Sequence, residues 1–136
     1  MIVLGADVAW EAILGTPTGM ACRGLICRRE KIIVPPAYAQ NITEFCVALC
    51  TAQRSDLKRA LVLQRAALQL PDETRWLEGV LAEKTLITAT VEGICASDAQ
   101  YIALALMANA TLFTLSDALR SVCRKNRIAC IEEIDL

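Results

Sequence analysis

Four short apolar stretches, each separated from the next by helical patterns, constrain the fold of this chain most strongly. We predict strands at residues 1–4, 31–34, 111–114 and 128–131. A strand that is apolar throughout, without alternating polar residues, is typical of a parallel sheet buried on both faces. The sequence therefore predicts an α/β fold, a three-layer α/β/α domain with a central parallel sheet of about four to five strands.

The helical patterns between these strands have recognisable starts and stops. Ser55 and Asp72 are predicted N-caps, Gly93 is a predicted stop, and residues 16–19 are a predicted turn. The predicted helices are Ala6–Leu14, 20–29, 37–52, 55–69, one from Asp72 to about Val91, 98–107 and Asp117–Lys125. Ligands of such sheets bind at the carboxyl ends of the strands, so the residues after positions 4, 34 and 114 and the start of the helix at Asp98 are the candidates for a site.

Composition limits the chemistry that the chain can perform. Its 136 residues are 55% apolar, which suits a single domain spanning 1–136. Fourteen basic and fifteen acidic residues give a net charge of −1, so a global electrostatic attraction to nucleic acid is not indicated. The absence of histidine excludes Ser-His-Asp and Cys-His catalysis and His-containing zinc sites. Any catalysis must depend on carboxylates, cysteines or lysines.

Seven cysteines do not form a recognisable disulfide or metal pattern. Their number is odd and no C-x-x-C pair occurs. Cys46 and Cys50 are four residues apart in a predicted helix, where they could bridge or bind a soft metal. The favoured interpretation is small buried apolar residues in a reducing cytoplasm. The cysteines are Cys22, Cys27, Cys46, Cys50, Cys95, Cys123 and Cys130.

The longest apolar segment, residues 92–115, approaches the length of a membrane span. Asp98, Gln100 and Asn109 interrupt it. We therefore predict a buried helix followed by a buried strand, and no association with a membrane.

Four segments, in order and at suitable spacing, resemble the PIN domain, and the closest subgroup is the VapC-type toxin ribonucleases of toxin–antitoxin pairs. The resemblance covers essentially the whole chain. It implies a pocket of three to four carboxylates that binds Mg²⁺ or Mn²⁺ and cuts RNA, because a divalent ion between carboxylates lowers the pKa of a bound water. The segments are Met1-Ile2-Val3-Leu4 with Ala6 and Val8; Ile32-Ile33-Val34-Pro35-Pro36; Gly93-Ile94 to Asp98-Ala99 with Tyr101-Ile102-Ala103-Leu104-Ala105; and Leu112-Phe113-Thr114 with Leu119.

Most of the acidic positions that this resemblance implies hold other residues. The first falls on Gly5, the second on Asn41 and the last on Ser116, whereas Asp98 keeps the third. Amide and hydroxyl groups are poor substitutes for carboxylates around Mg²⁺. The expected cofactor is therefore none, or weakly bound Mg²⁺ or Mn²⁺.

Neighbouring acids offer a displaced catalytic set of Asp7, Glu44, Asp98 and Asp117, with Asp7, Asp98 and Asp117 as metal ligands. Each acid also has a structural interpretation. Asp7 and Asp98 could cap their helices, Glu44 could be a solvated charge, and Asp117 could serve a helix N-terminal turn, where negative charge is favourable.

Three hypotheses follow from these residues. The first is a VapC-like protein with a degraded nuclease site that acts by binding protein or RNA. The second is an active Mg²⁺- or Mn²⁺-dependent endoribonuclease that uses the displaced carboxylates. The third is a structural role in a homodimer or in a complex with an antitoxin, for which the apolar helices 37–52 and 55–69, the latter with Leu57, Leu61 and Leu68 in its stripe, would suit an interface.

Two basic segments bear on RNA binding. If they converged, they could hold RNA phosphates, but solvated helix ends are the favoured interpretation. The residues are Arg23, Arg28, Arg29 and Lys31 in one segment and Arg120, Arg124, Lys125 and Arg127 in the other.

Overall fold

A parallel four-stranded sheet with helices packed around it confirms the predicted three-layer α/β/α fold. The computed structural model describes residues 1–27, 30–52, 56–76 and 78–132. The strands are β1 (Ile2–Leu4), β2 (Ile32–Val34), β3 (Glu73–Thr74) and β4 (Thr111–Phe113), in the order β3-β2-β1-β4. The helices are α1 (Ala6–Leu14), α2 (Pro17–Ile26), α3 (Ala37–Thr51), α4 (Leu57–Gln69), α5 (Gly79–Glu92), α6 (Ala96–Ala108) and α7 (Asp117–Lys125).

The central strand, β1, lies between β2 and β4. Ile2 pairs with Ile32 on one side and with Thr111 on the other, and all three residues of β1 are buried. The chain moves outward from β1 to β2 and β3 and then crosses to β4 on the opposite side of β1. The strand order therefore reverses between β1 and β4, which is where open α/β sheets form ligand crevices.

Helix α2 begins earlier than the sequence indicated. Residues 16–19 are not a separate turn, because Thr16 is the N-cap and its Oγ1 accepts a hydrogen bond from the Gly19 amide at 3.0 Å. Pro17 follows at the first helical position, where a missing amide proton costs little. The predicted end of this helix, at Arg29, lies outside the described residues.

The predicted helix from Asp72 to Val91 is wrong in its first part. The Asp72 carboxylate accepts a hydrogen bond from the Ile32 amide at 2.8 Å, and the Asp72 amide donates to the Ile32 carbonyl at 2.8 Å. Because of this pairing, Glu73–Thr74 forms a strand beside β2. Helix α5 starts only at Gly79. Gly93 ends α5 with φ 66°, as predicted.

Two helix N-caps also differ from the prediction. Asp56 caps α4 and accepts a hydrogen bond from the Arg59 amide at 2.8 Å, whereas Ser55 lies outside the described residues. Cys95 caps α6, and its Sγ accepts from the Asp98 amide at 3.5 Å. The interpretation of Asp98 as an N-cap is therefore wrong.

The predicted last strand at 128–131 is reduced to one contact with the sheet. A single parallel bridge joins Leu112 to Cys130, so the described sheet has four strands. Upstream, the apolar segment 92–115 folds as α6 and β4. Within the described ranges, no helix is long and apolar enough to cross a membrane.

All seven cysteines are free thiols, but they are not uniformly buried. Cys22, Cys46 and Cys123 are buried, whereas Cys27 and Cys95 are exposed, contrary to the prediction. Burial raises the pKa of the Cys123 thiol to about 12, so this thiol stays protonated near neutral pH.

Candidate functional site

A cavity of about 180 Å³ lies at the carboxyl ends of β1 and β4, where the strand order reverses. Gly5 follows β1, and Thr114 and Ser116 follow β4. Helix α1 supplies Asp7, and helices α3 and α6 supply the remaining polar side chains. The polar or small residues that line the cavity are Gly5, Asp7, Asn41, Glu44, Asp98, Tyr101, Thr114 and Ser116. All four positions that the resemblance assigned to the pocket therefore meet in one place.

Gly5 has no room for a side chain in this arrangement. Its amide donates to the Phe113 carbonyl at 2.7 Å. A Cβ added at Gly5 would collide with Oδ1 of Asp7 and would lie 2.8 Å from the Phe113 carbonyl oxygen. The carboxylate of Asp7 thus occupies the space beside position 5.

The Asp7 carboxylate is held by three hydrogen bonds. Its Oδ1 accepts from the Val8 amide at 2.8 Å. Its Oδ2 accepts from the Leu115 amide at 2.8 Å and from the Thr114 hydroxyl at 2.9 Å. A carboxylate has about four acceptor positions, and three are used here. Asp7 therefore ties the start of α1 to the segment that follows β4.

Asn41 is also engaged, although it occupies a position where the resemblance implies an acid. Its Oδ1 accepts from the Tyr101 hydroxyl at 2.8 Å, and its Nδ2 donates to Ser97 Oγ at 3.1 Å. Burial raises the pKa of Tyr101 well above its usual range, and the negative charge of Asp7 acts in the same direction. The phenol therefore stays protonated and acts as a donor to the Asn41 amide, which links α3 to α6.

Among the acids that line the cavity, Asp98 and Glu44 accept the fewest hydrogen bonds. Asp98 is partly buried, and no described residue donates a hydrogen bond to its carboxylate. Glu44 is exposed and accepts from Gln40 Nε2 at 3.2 Å. Across the part of the chain that the structure describes, no three acidic or cysteine side chains are close enough to share a metal ion.

Asp117 does not line the cavity. Its side chain is 97% exposed and lies 3.7 Å from Arg120 within the first turn of α7, as its structural interpretation predicted. Arg120 is largely buried and donates from Nε to the Thr114 carbonyl at 3.1 Å. Asp7 and Arg120 together fix the segment between β4 and α7 from both sides.

Most described residues of the two basic segments have local partners, so they do not form one free basic face. Arg23 Nε donates to the Ala12 carbonyl at 2.8 Å, and Arg28 and Arg29 lie outside the described residues. The ion pairs are Lys31 with Glu73 at 2.7 Å, Arg124 with Glu132 at 2.7 Å and Lys125 with Glu92 at 3.1 Å.

Sequence reasoning missed the roles of Tyr101, Ser97 and Thr114. A tyrosine within an otherwise aliphatic buried run needs a partner for its hydroxyl, and this was a usable signal for Tyr101. The partners of Ser97 and Thr114 lie 56 and 107 residues away in the chain, so no local pattern reveals them.

Comparisons with solved structures agree with the fold of this chain. No protein-family model matches the chain, and no curated protein matches it in sequence. Among solved structures, VapBC2 from Rickettsia felis, described as bound to a promoter DNA fragment, superposes with a TM-score of 0.70 at 15% identity over 99% of this chain and 100% of that one. FitAcB from Neisseria gonorrhoeae gives a TM-score of 0.68 at 17% identity over 97% of both chains.

VapC20 from Mycobacterium tuberculosis, described as a sarcin-ricin loop cleaving toxin, gives a TM-score of 0.63 at 13% identity over 90% of this chain and 95% of that one. The chain has a VapC-type PIN fold. At these identities the likeness concerns the fold alone. In this chain, the strand order reverses between β1 and β4 beside the cavity that Asp7 and Asp98 line.

Proposed function

We propose that this VapC-like protein has a degraded nuclease site with little or no activity and that it acts by binding a protein partner of the antitoxin kind. The observation that carries the proposal is the hydrogen bonding of the Asp7 carboxylate. Its carboxylate fills the space beside Gly5 and directs three acceptor positions to Val8, Thr114 and Leu115. A carboxylate used in this way holds the backbone together, and it keeps only one of about four acceptor positions for a metal ion.

The remaining side chains fit a catalytic divalent ion poorly. Ser116 accepts a hydrogen bond from the Leu119 amide at 3.3 Å and caps α7, and the Asn41 amide is shared between Tyr101 and Ser97. Of the other acids in the cavity, Asp7 is held by three hydrogen bonds and Glu44 is exposed. We therefore propose that Mg²⁺ or Mn²⁺ is bound weakly or not at all.

A protein partner is better supported than RNA. The solved VapBC2 and FitAcB structures that resemble this chain in fold are antitoxin complexes. In this chain, Lys31, Arg124 and Lys125 already pair with acidic side chains, which reduces the positive charge available to phosphates. The predicted homodimer remains a prediction, and sedimentation velocity at micromolar concentration would test it.

An active ribonuclease is the second candidate, and one observation favours it. Asp7, Glu44 and Asp98 all line the same cavity, so a displaced acidic set is partly assembled. This candidate requires Asp7 to bind a metal ion through its remaining acceptor position, or to give up one of its hydrogen bonds, when RNA binds.

Cleavage of structured RNA in Mg²⁺ and in Mn²⁺ separates the two candidates. We expect no cleavage above that of the Asp98→Ala variant. Asp117→Ala is the matched control, because it removes an acid outside the cavity. Metal-dependent cleavage that is lost in Asp98→Ala and kept in Asp117→Ala would overturn the proposal.

A further inference from the structure

After α7, the chain turns back and returns to the sheet as residues 128–131, the return segment. Leu112 of β4 pairs with this segment: its amide donates to the Ala129 carbonyl at 2.9 Å, and its carbonyl accepts from the Ile131 amide at 3.1 Å. The pairing places Cys130 opposite Leu112. This link to the sheet is an isolated bridge and not a continuous strand pairing.

The return segment brings two thiols together. Cys123 lies near the end of α7, and the Ile128 amide donates to its carbonyl at 2.8 Å, which fixes the turn between the two cysteines. The Cys123 thiol donates a hydrogen bond to the Cys130 sulfur. Cys123 is fully buried and Cys130 is partly exposed. Two sulfur atoms that share a hydrogen bond, on backbone that is held at both positions, can form a disulfide with little rearrangement.

The two thiols differ in how readily each ionises. Burial raises the pKa of both, and that of Cys123 reaches about 12. At Cys130, the Arg120 guanidinium and the hydrogen bond from Cys123 oppose the effect of burial, and Arg124 acts in the same direction. The thiolate is the nucleophile in exchange with a disulfide. The partly exposed Cys130 therefore reacts first, and the buried Cys123 reacts second.

We propose that Cys123 and Cys130 form a redox-active dithiol that small-molecule disulfides convert to an intramolecular disulfide. The Cys130 thiolate attacks one sulfur of the small disulfide, whose S–S bond breaks, so that a mixed disulfide forms and one thiolate leaves. The Cys123 sulfur then attacks the Cys130 sulfur, and the second thiolate leaves. The cysteines lose two electrons, the small disulfide is reduced to two thiols, and the two cysteine protons end on those thiols.

This disulfide joins α7 to the return segment behind one wall of the cavity. Leu112, which pairs with Cys130, and Leu119, one helical turn before Cys123, both line the cavity. Closing the loop between the two cysteines removes conformational entropy from the unfolded chain. The oxidised protein therefore holds the return segment more firmly, whether or not a metal ion or a partner is bound.

Peptide mapping of the full chain after treatment with glutathione disulfide tests this inference. Trypsin cuts after Arg124 and Arg127, so it separates Cys123 from Cys130 unless a disulfide joins their peptides. We expect joined peptides from the oxidised protein and separate peptides after reduction with dithiothreitol. Oxidation should raise the melting temperature by at least about 5 °C. It should also slow hydrogen exchange of the Ile131 amide by at least about tenfold.

Cys130→Ser is the test variant, and Cys27→Ser is the matched control, because Cys27 is exposed and does not belong to the pair. Glutathione disulfide should leave the melting temperature of Cys130→Ser unchanged and should raise that of Cys27→Ser as in the unaltered protein. The peptide map of the unaltered protein needs no variant, so the test survives if Cys130→Ser does not fold.

Three results would overturn the proposal: glutathione that stays attached to Cys130, a disulfide that joins other cysteines instead, or joined peptides without a rise in melting temperature. None of these measurements involves RNA cleavage, metal binding or partner binding. This inference and the proposed function therefore fail separately.

Discussion

The carboxylate of Asp7 lies where a side chain at Gly5 would have to begin. A Cβ at position 5 would collide with Asp7 Oδ1 and press on the Phe113 carbonyl oxygen. A carboxylate at position 5 and the observed position of Asp7 therefore exclude each other. The glycine and the aspartate form one structural unit, in which Asp7 connects β1 and α1 to the end of β4.

Adding a side chain at position 5 should destabilise the protein. Gly5→Ala should lower the free energy of unfolding by about 1–3 kcal/mol, because Asp7 or the backbone at Phe113 must move. Chemical denaturation measures this change. Gly24→Ala is the matched control: it lies on an exposed part of α2 with no atom near the added Cβ, and it should stabilise by about 0.5–1 kcal/mol. Equal effects of the two substitutions would contradict the close contact at Gly5.

Removing the Asp7 carboxylate should cost more stability than removing any other acid of the predicted set. Asp7→Ala leaves the Val8 and Leu115 amides and the Thr114 hydroxyl without their acceptor, and we expect a loss of about 2–4 kcal/mol. Asp117→Ala should cost less than about 1 kcal/mol, because its exposed side chain only supports a helix N-terminus. Denaturation curves that coincide for the two variants would show that Asp7 has no such role.

The ionisation of the tyrosines should report whether the Tyr101 hydroxyl, which donates to Asn41, is buried. The chain has two tyrosines, Tyr38 and Tyr101, and burial raises the pKa of both above their usual range. A raised folded-state pKa means that the stabilisation is complete below the unfolded value of about 10 and is lost as the pH rises further. Absorbance at 295 nm should therefore show tyrosinate only together with the loss of circular dichroism. An ionisation near pH 10 in the folded protein would contradict this burial.

The link between α5 and α7 should depend on pH in the acid range. A hydrogen bond from Asn126, followed by the Lys125 ammonium, lowers the pKa of Glu92 below its ordinary value of 4.5. A lowered folded-state pKa stabilises the protein above that ordinary value, and the effect is lost as the pH falls through the lowered one. Glu92→Gln should therefore reduce the melting temperature at pH 7 but not at a pH well below the pKa of Glu92. Exposed Glu83→Gln on α5 is the control, and a deficit in Glu92→Gln that persists in acid would refute the link.

The strands β1, β2 and β4 and the first helix could be predicted because their signals are local. Ile2–Leu4 is apolar without interruption and Gly15 closes α1 in a left-handed conformation, so hydrophobic pattern and cap agree with the fold. The strand Glu73–Thr74 could not be predicted in this way. It is short, polar and partly exposed, and it exists because the Asp72 backbone and carboxylate pair with Ile32, 40 residues earlier.

The candidate site was predicted at the level of position but not of hydrogen bonding. Gly5, Asn41, Asp98 and Ser116 meet in one cavity, as the resemblance to the PIN domain implied. The direction of the Asp7 carboxylate depends on Thr114 and Leu115, which are more than 100 residues away in sequence. No periodicity in the chain contains that information.

Binding of Mn²⁺ to the purified full chain tests the central claim most directly, and isothermal titration or water-proton relaxation would measure it. We expect no stoichiometric binding with a dissociation constant below about 1 mM, because only Asp98 and the exposed Glu44 are available as carboxylates without buried hydrogen bonds. Asp98→Ala should then give the same titration as the unaltered protein. One Mn²⁺ bound per chain at micromolar concentration, and lost in Asp98→Ala, would contradict the account.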